Sequence, residues 1–248
     1  MKPRRDHLLA GATFDGVTHI DPGLATVHSM AGMTKVSFVS GHIPGALVAR
    51  FSEISEWCES LDTNVTFRTG AVSPDLAVVL SVHGFKVASE LVLMSRDLVS
   101  AESPLPTSRH AWQISRSRLR AAERIDAAAF PIGWALTHEE LALAAQSTSQ
   151  AGLAFAREGW RKTAYVLAGM SDQVAYLQRL AVLPGHQGAG LGSMLTQASL
   201  QWAGHCGAAK MFVNTETDNE AALRLYRRHG FEVCDGGLLV MERAAQVT

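Results

Sequence analysis

With 248 residues and 47% hydrophobic content, the chain has enough apolar material for one large core or two smaller ones. A formal net charge of −1 without a long basic run offers no footprint for nucleic acid, and no stretch approaches the ~18 consecutive apolar residues of a membrane span. The three cysteines, Cys58, Cys206 and Cys234, lie far apart without metal-ligand spacing, which excludes a disulfide framework or a cysteine-held metal and points to a reducing, cytoplasmic setting.

The basic N-terminus M-K-P-R-R-D-H-L-L-A is followed by no apolar signal core. Val36 to Val39 and Ala46 to Val48 are short apolar runs broken by Gly41, Pro44 and Gly45, and they predict strands and turns. Ile54, Trp57, Cys58 and Leu61 recur at helical spacing and predict a short helix over 54–61. Ser73-Pro74-Asp75 predicts a helix start, with a capping hydroxyl and a proline at the first helical position. His83-Gly84-Phe85-Lys86-Val87 then predicts the end of that helix and entry into a strand.

The same pattern returns as His229-Gly230-Phe231-Glu232-Val233. It continues, with one residue of slippage, through Leu91-Val92-Leu93-Met94-Ser95-Arg96 against Leu238-Leu239-Val240-Met241-Glu242-Arg243. We read this as an internal repeat, although helix ends favour glycine and any helix-Gly-Phe-strand junction gives a short match of this kind. At the same offset Leu80 stands where Tyr226 does, and Ser73 where Asn219 does.

Residues 100–108, within V-S-A-E-S-P-L-P-T-S, have little to bury and mark a linker between a 1–99 domain and a 109–248 domain. Past it, Trp112 to Ser115 predicts a strand and Leu119 to Ala129 a helix. Thr137-x-x-Glu140 predicts a capping box opening a second helix through about residue 147. Phe130 and Trp134 lie between the two helices, as a lid over a site or as aromatic staples of a helical pair. Gly152 to Arg157 and Thr163 to Gly169 predict antiparallel strands. Val174 to Leu183 predicts another, stopped by Pro184 and Gly185, and from Ala189 the residues Leu191, Met194, Leu195, Ala198 and Trp202 share one helical face. Lys210 to Glu216 predicts a strand, Asn219 to His229 a helix, and Phe231 to Cys234 with Leu238 to Glu242 a closing hairpin.

The glycines between Pro184 and Ser193 therefore sit at a helix N-terminus, where unpartnered N–H groups and the positive end of the helix dipole suit phosphate. No Gly-Lys-Ser/Thr follows, so the turn is not a mononucleotide P-loop. The alternate spacing of Gly188, Gly190 and Gly192 is not the dinucleotide pattern either. What stands here is Gln187-x-x-Gly190-x-Gly192, preceded by Leu180-Ala181-Val182-x-Pro184. It resembles the acyl-CoA-binding motif of the GNAT superfamily of N-acetyltransferases. Asn219-x-x-Ala222-x-x-Leu225-Tyr226 followed by Gly230-Phe231 is similar to that family's other signature, in the same order. The resemblance covers residues 110 to 243. It implies an α/β GNAT fold, a mixed and mostly antiparallel central sheet with splayed strands flanked by helices. With residues 1–99 as a degenerate, partial copy, the arrangement would be a tandem one.

The resemblance also implies a site. Acetyl-CoA would be held by Gln187, Gly188, Ala189, Gly190, Leu191, Gly192 and Ser193 at the pyrophosphate, by the main chain of Leu180, Ala181 and Val182 at the pantetheine, and by Asn219, which also reads as a plain N-cap. A Val182 amide would face the thioester oxygen, and Tyr226 would protonate the departing thiolate. No metal is implied. In the ribosomal-protein N-terminal acetyltransferases a glutamate stands on the strand ahead of the tyrosine, and here that position is Asn214, which accepts no proton. Glu216 points to the same face of that strand and is the candidate base, with a water chain as the alternative. The expected function is acetyl transfer to a primary amine of a small molecule or a protein, with no nucleic-acid or membrane partner. A full copy beside a degenerate one also resembles mycothiol synthase in outline, on a shorter chain. The alternative is a non-catalytic acyl-CoA-binding regulatory module, against which the retained Tyr226 argues. Nothing in the sequence bears on oligomeric state.

Overall fold

The structure, a computed structural model, describes residues 17–20, 25–30, 33–38, 64–98, 112–131 and 133–244. The expected helix over 54–61, the run Ala46 to Val48 and the linker 100–108 lie outside the described residues. The chain divides into two compact units, Met1–Leu91 with Gly236–Thr248, and Val92–Asp235. Among the described residues no helix is long and apolar enough to cross a membrane.

The first unit contains strands β1 (Val17–Ile20), β2 (Ala25–Met30), β3 (Met33–Phe38) and β4 (Asn64–Val72), helix α1 (Pro74–Val82), the first part of β5 (Lys86–Asp97) and the last strand, β11 (Leu238–Ala244). Strands β1, β2 and β3 form an antiparallel meander, β3 and β4 pair in parallel, and β11 pairs antiparallel with both β4 and β5. Helix α1 starts as its sequence dictates, with the Ser73 hydroxyl accepting the Leu76 N–H at 3.4 Å and proline in the first turn. It buries Ala77 and Leu80 and ends at Gly84, whose φ is +82°, before the buried Phe85. The Thr69 hydroxyl accepts the Met241 N–H at 2.9 Å, and Arg68 pairs with Glu242.

The second unit starts in the later part of β5 and runs through helices α2 (Arg116–Ala129) and α3 (His138–Gln146) to strands β6 (Gln150–Glu158), β7 (Arg161–Ser171) and β8 (Val174–Val182). Helix α4 (Leu191–His205), strand β9 (Lys210–Glu216), helix α5 (Glu220–Arg228) and strand β10 (Glu232–Val233) follow. The strand order is β5-β9-β8-β7-β6, with β6, β7 and β8 antiparallel neighbours and β8 parallel to β9. Strand β7 is buried almost throughout because both its faces are covered. Its Tyr165 and Leu167 pack with Leu119, Ile125 and Leu141 of α2 and α3, while Ala164, Val166 and Ala168 pack with Leu195 and Trp202 of α4 and Leu223 of α5. The capping box of α3 forms in both directions: Thr137 Oγ1 accepts the Glu140 N–H at 3.2 Å, and Glu140 Oε2 accepts the Thr137 N–H at 2.9 Å.

Two expectations change. Trp112 to Ser115 is not a strand. Ser115 is taken up as the N-cap of α2, and Trp112 stacks on Trp202 with ring centroids 5.4 Å apart. Gly152 makes room for that pair, since a Cβ there would lie 2.8 Å from the Trp112 ring. The closing hairpin does not form either. Strand β10 pairs with Met94 and Ser95 of β5, while β11 pairs with β4 and the start of β5, so the two strands satisfy their backbone groups on other strands and not on each other. Strand β11 lies in the first unit and residues 92–97 of β5 lie in the second.

Candidate active site

The chain leaves β8 at Val182, makes one 3-10 turn over Pro184–His186, and reaches Gly190, the N-cap of α4. Gly188 and Gly190 have φ of +78° and +79°, a region costly for residues with a Cβ, and a Cβ built at either would meet nothing within 4 Å. The space beside them is therefore open. Gly190 offers no capping side chain, so the first N–H groups of α4, from Leu191 on, have no side chain to satisfy them. Gly192 faces inward, 3.4 Å from Leu225 when given a Cβ. Gln187 turns back on the strand and donates to the Val182 carbonyl at 3.2 Å. The Ser193 hydroxyl hydrogen-bonds His229 Nε2 at 2.8 Å, which ties the first turn of α4 to the end of α5. Burial, and then the charge of Arg96, lowers the His229 pKa, so its imidazole is neutral at pH 7.

The parallel ladder between β8 and β9 has only three rungs, from Val174↔Lys210 to Tyr176↔Phe212. Both strands continue past the last rung, β8 to Val182 and β9 to Glu216. Leu180, Ala181 and Val182 pair with Val166, Tyr165 and Ala164 of β7 on one side. Their other edge, facing away from β7, has no ladder partner among the described residues. A register shift between Leu167 and Ala168 skips Gln178, so a bulge stands where the ladder has opened.

Tyr226 of α5 is buried and meets Phe231 edge-on at 5.8 Å. Its phenol pKa is pushed well above the ordinary value by burial first and then by the charge of Glu216, with Arg179 working the other way. The two charges that act on it come from β9 and β8, the strands that have parted. No hydrogen bond of the Tyr226 hydroxyl is formed among the described residues. Glu216 ends β9, and the alternation along that strand, with Met211, Val213 and Thr215 buried, sends Asn214 and Glu216 to the face away from α4 and α5. The Glu216 carboxylate accepts from the Thr215 hydroxyl at 3.3 Å and from Asn219 Nδ2 at 3.4 Å. Asn219 caps α5, its Oδ1 accepting the Ala222 N–H at 3.1 Å. Tyr226, Glu216 and Asn219 thus form one group, and the glycine turn lies at the end of the neighbouring strand.

One cluster has no signal in the sequence. Asp126 of α2, fully buried, accepts from Arg179 Nε at 2.8 Å and Nη2 at 2.9 Å, from the Leu136 N–H at 2.6 Å, and from the Tyr165 hydroxyl. Arg179 also donates to the Trp134 carbonyl at 2.7 Å and lies 3.5 Å from the centre of the Phe130 ring. Burial opposes the Arg179 charge, and the hydrogen bond and charge of Asp126 more than reverse that, so its pKa is raised. Phe130 and Trp134 are thereby fixed over β8 by one arginine that reaches both. The partners are far apart in sequence, and an Asp in α2 and an Arg in β8 are unremarkable taken singly.

Residues 109–231 match the acetyltransferase (GNAT) family. The chain is 30% identical to a mycothiol acetyltransferase of Rhodococcus jostii, over 91% of this chain and 83% of that protein. It is 43% identical to the N-alpha-acetyltransferase 30 of Schizosaccharomyces pombe over 23% of this chain, and it spans 37% of the length of that relative. Among solved structures, a tandem GNAT protein from the clavulanic acid biosynthesis pathway superposes with a TM-score of 0.58 at 12% identity, over 91% of this chain and 80% of that one.

Proposed function

We propose, from the premise that this chain belongs to the GNAT family of acetyltransferases, that it moves an acetyl group from acetyl-CoA directly to a primary amine, in the cytoplasm. The observation that carries this reading is the parting of β8 and β9 after Tyr176↔Phe212, with the glycine turn and Tyr226 both on elements that follow the opening. The residues fit the cofactor. The open space beside Gly188 and Gly190 and the uncapped start of α4 suit a pyrophosphate, and the second edge of Leu180–Val182 suits an amide-bearing pantetheine arm. Acetyl-CoA bound there supplies an acyl group on a thiol leaving group.

The chain's own residues then have two proton tasks. The Tyr226 phenol, held protonated by burial, has a proton to release where sulfur departs as thiolate. A primary ammonium must lose a proton before its nitrogen can attack, and Glu216, whose charge acts on Tyr226, is the group we assign to accept it. Attack forms the C–N bond of the amide and breaks the C–S bond.

Two observations support a tandem origin. Ser73 and Asn219 cap α1 and α5 in the same way, on Leu76 and Ala222, and Gly84-Phe85 and Gly230-Phe231 close the two helices with the same positive-φ glycine and buried phenylalanine. The strand pairing is also reciprocal. Lys86↔Glu242 and Val87↔Met241 in the first unit correspond, at the offsets of the repeat, to Glu232↔Ser95 and Val233↔Met94 in the second. On this reading each half lends its final strand to the other, and residues 1–99 are the copy that lacks the glycine turn and the tyrosine.

The name of the Rhodococcus jostii relative makes a mycothiol-type acceptor the first small molecule to test. Purified protein with acetyl-CoA and a panel of amines, read by release of free CoA and by mass of the acetylated product, tests the proposal. Cofactor-dependent product with any amine supports it, whereas tight CoA binding without turnover on the whole panel leaves a binding module.

A further inference from the structure

The face of β6 and β7 that packs against α2 gathers positive charge. Lys162 Nζ lies 4.3 Å and the Arg118 guanidinium carbon 5.0 Å from the centre of the Phe155 ring. Arg157 stands directly across the ladder from Lys162, a like-charge pair that works against strand pairing.

The geometry that produces this is specific. Phe155 pairs with Tyr165 and Ala156 with Ala164, but Arg157 pairs with Lys162, so Thr163 is skipped. In an unbroken strand Lys162 would share the face of Ala164, toward α4 and α5. The bulge moves it to the face of Phe155.

Among the described residues neither Lys162 nor Arg157 forms an ion pair, although Arg157 donates to the Trp160 carbonyl at 3.4 Å. Glu158, next to Arg157 in the strand, is engaged elsewhere, on His186 at 2.9 Å. Burial, and then the charges of Arg157, Arg118 and Arg124, lowers the pKa of Lys162. Burial and Arg157 do the same to Arg118. With Lys162 and Arg118 half-buried, Arg157 exposed beside them, and no carboxylate on Lys162 or Arg157 among the described residues, these cations are arranged for an anion that is not part of the chain.

We propose that Lys162 and Arg118, on the Phe155 ring, together with Arg157, across the ladder from Lys162, form a binding site for a phosphate or carboxylate group. The site flanks the glycine turn, because the Thr163 carbonyl next to Lys162 accepts the Leu183 N–H at 2.9 Å and Glu158 holds His186. Two sources of such a group exist if the acetyl-CoA reading holds: the 3′-phosphate of the cofactor, or an acidic group on the acceptor.

Thermal melting of the full chain in inorganic phosphate against chloride of equal ionic strength tests the site itself. Wild type is expected to melt at least about 2 °C higher in phosphate, with the gain reduced in Lys162→Gln and in Arg157→Gln and absent from the double variant. In chloride at low ionic strength Lys162→Gln is expected to melt no lower than wild type, since it relieves repulsion. A lower melting point for it there would overturn the like-charge account. Repeating the phosphate series with saturating CoA or 3′-dephospho-CoA separates the sources. A gain lost with CoA and kept with 3′-dephospho-CoA assigns the site to the cofactor's 3′-phosphate, and a gain kept with both assigns it to the acceptor. Equal responses of wild type and double variant, or no response at all, overturn the proposal. The arm without nucleotide stands even where CoA does not bind, so failure of this site and failure of the proposed function give different results.

Discussion

The Glu216 carboxylate, at the end of β9, acts on the Tyr226 phenol of α5: after burial, its charge is the largest cause of the raised phenol pKa. Burial and that charge keep the phenol protonated, as the proposed acid role requires. Neutralising the carboxylate should lower the phenol pKa.

Tyr226→Phe should lower kcat by about 10-fold or more with CoA affinity nearly unchanged, because the lost contact matters mainly in the transition state. Calorimetry and steady-state kinetics on the same preparation check this, and equal turnover would return Tyr226 to a packing role.

For Glu216→Gln the expected loss in kcat/KM is about 10²-fold, together with disappearance of the acidic limb of its pH profile. A loss below about threefold with an unchanged profile would assign the proton to a water chain instead.

Gly190→Val should abolish CoA binding and also lower stability, by about 1–2 kcal/mol for a Cβ in the left-handed region. Gly190→Asn is the discriminating variant. Asparagine tolerates that conformation and no protein atom lies within 4 Å of the new Cβ, so weaker CoA binding in a stable Gly190→Asn protein reports the ligand's own closeness.

Removing the Asp126 carboxylate by Asp126→Ala strands Arg179 and should cost about 3–5 kcal/mol in urea unfolding. Tyr165→Phe removes one neutral donor to the same carboxylate and should cost less, about 1–2 kcal/mol.

Alkaline pH supplies a further check. The pKa values of Tyr165 and Tyr226 are both raised, so above pH ~10 the unfolded chain ionises these phenols while the native chain does not. The native state then binds more protons, and stability should fall as pH rises, by about 1.4 kcal/mol per pH unit for each tyrosine. Urea unfolding at pH 9, 10 and 11 should show a shallower fall for Tyr226→Phe than for wild type.

Helix ends and the glycine turn could be read from residues alone because their chemistry is local. The Thr137/Glu140 capping box, the Ser73 and Asn219 caps and the left-handed Gly190 each involve groups within a few residues, so residue type and spacing decide them. The spans of β8 and β9 were legible for a similar reason, as apolar strand patterns between clear stops. Where these strands part was not, since the end of a ladder depends on what lies beside it. The partners of β10 and β11 were likewise decided by the fold, because each strand pairs with residues far away in the chain and either could equally have closed a hairpin. Asp126, Tyr165 and Arg179 belong to three separate elements, and their types are ordinary until packing removes the water between them. Lys162 is the sharpest case: its identity is in the sequence, but the one-residue bulge at Thr163 determines its face, because a register shift of one moves a strand side chain to the other side.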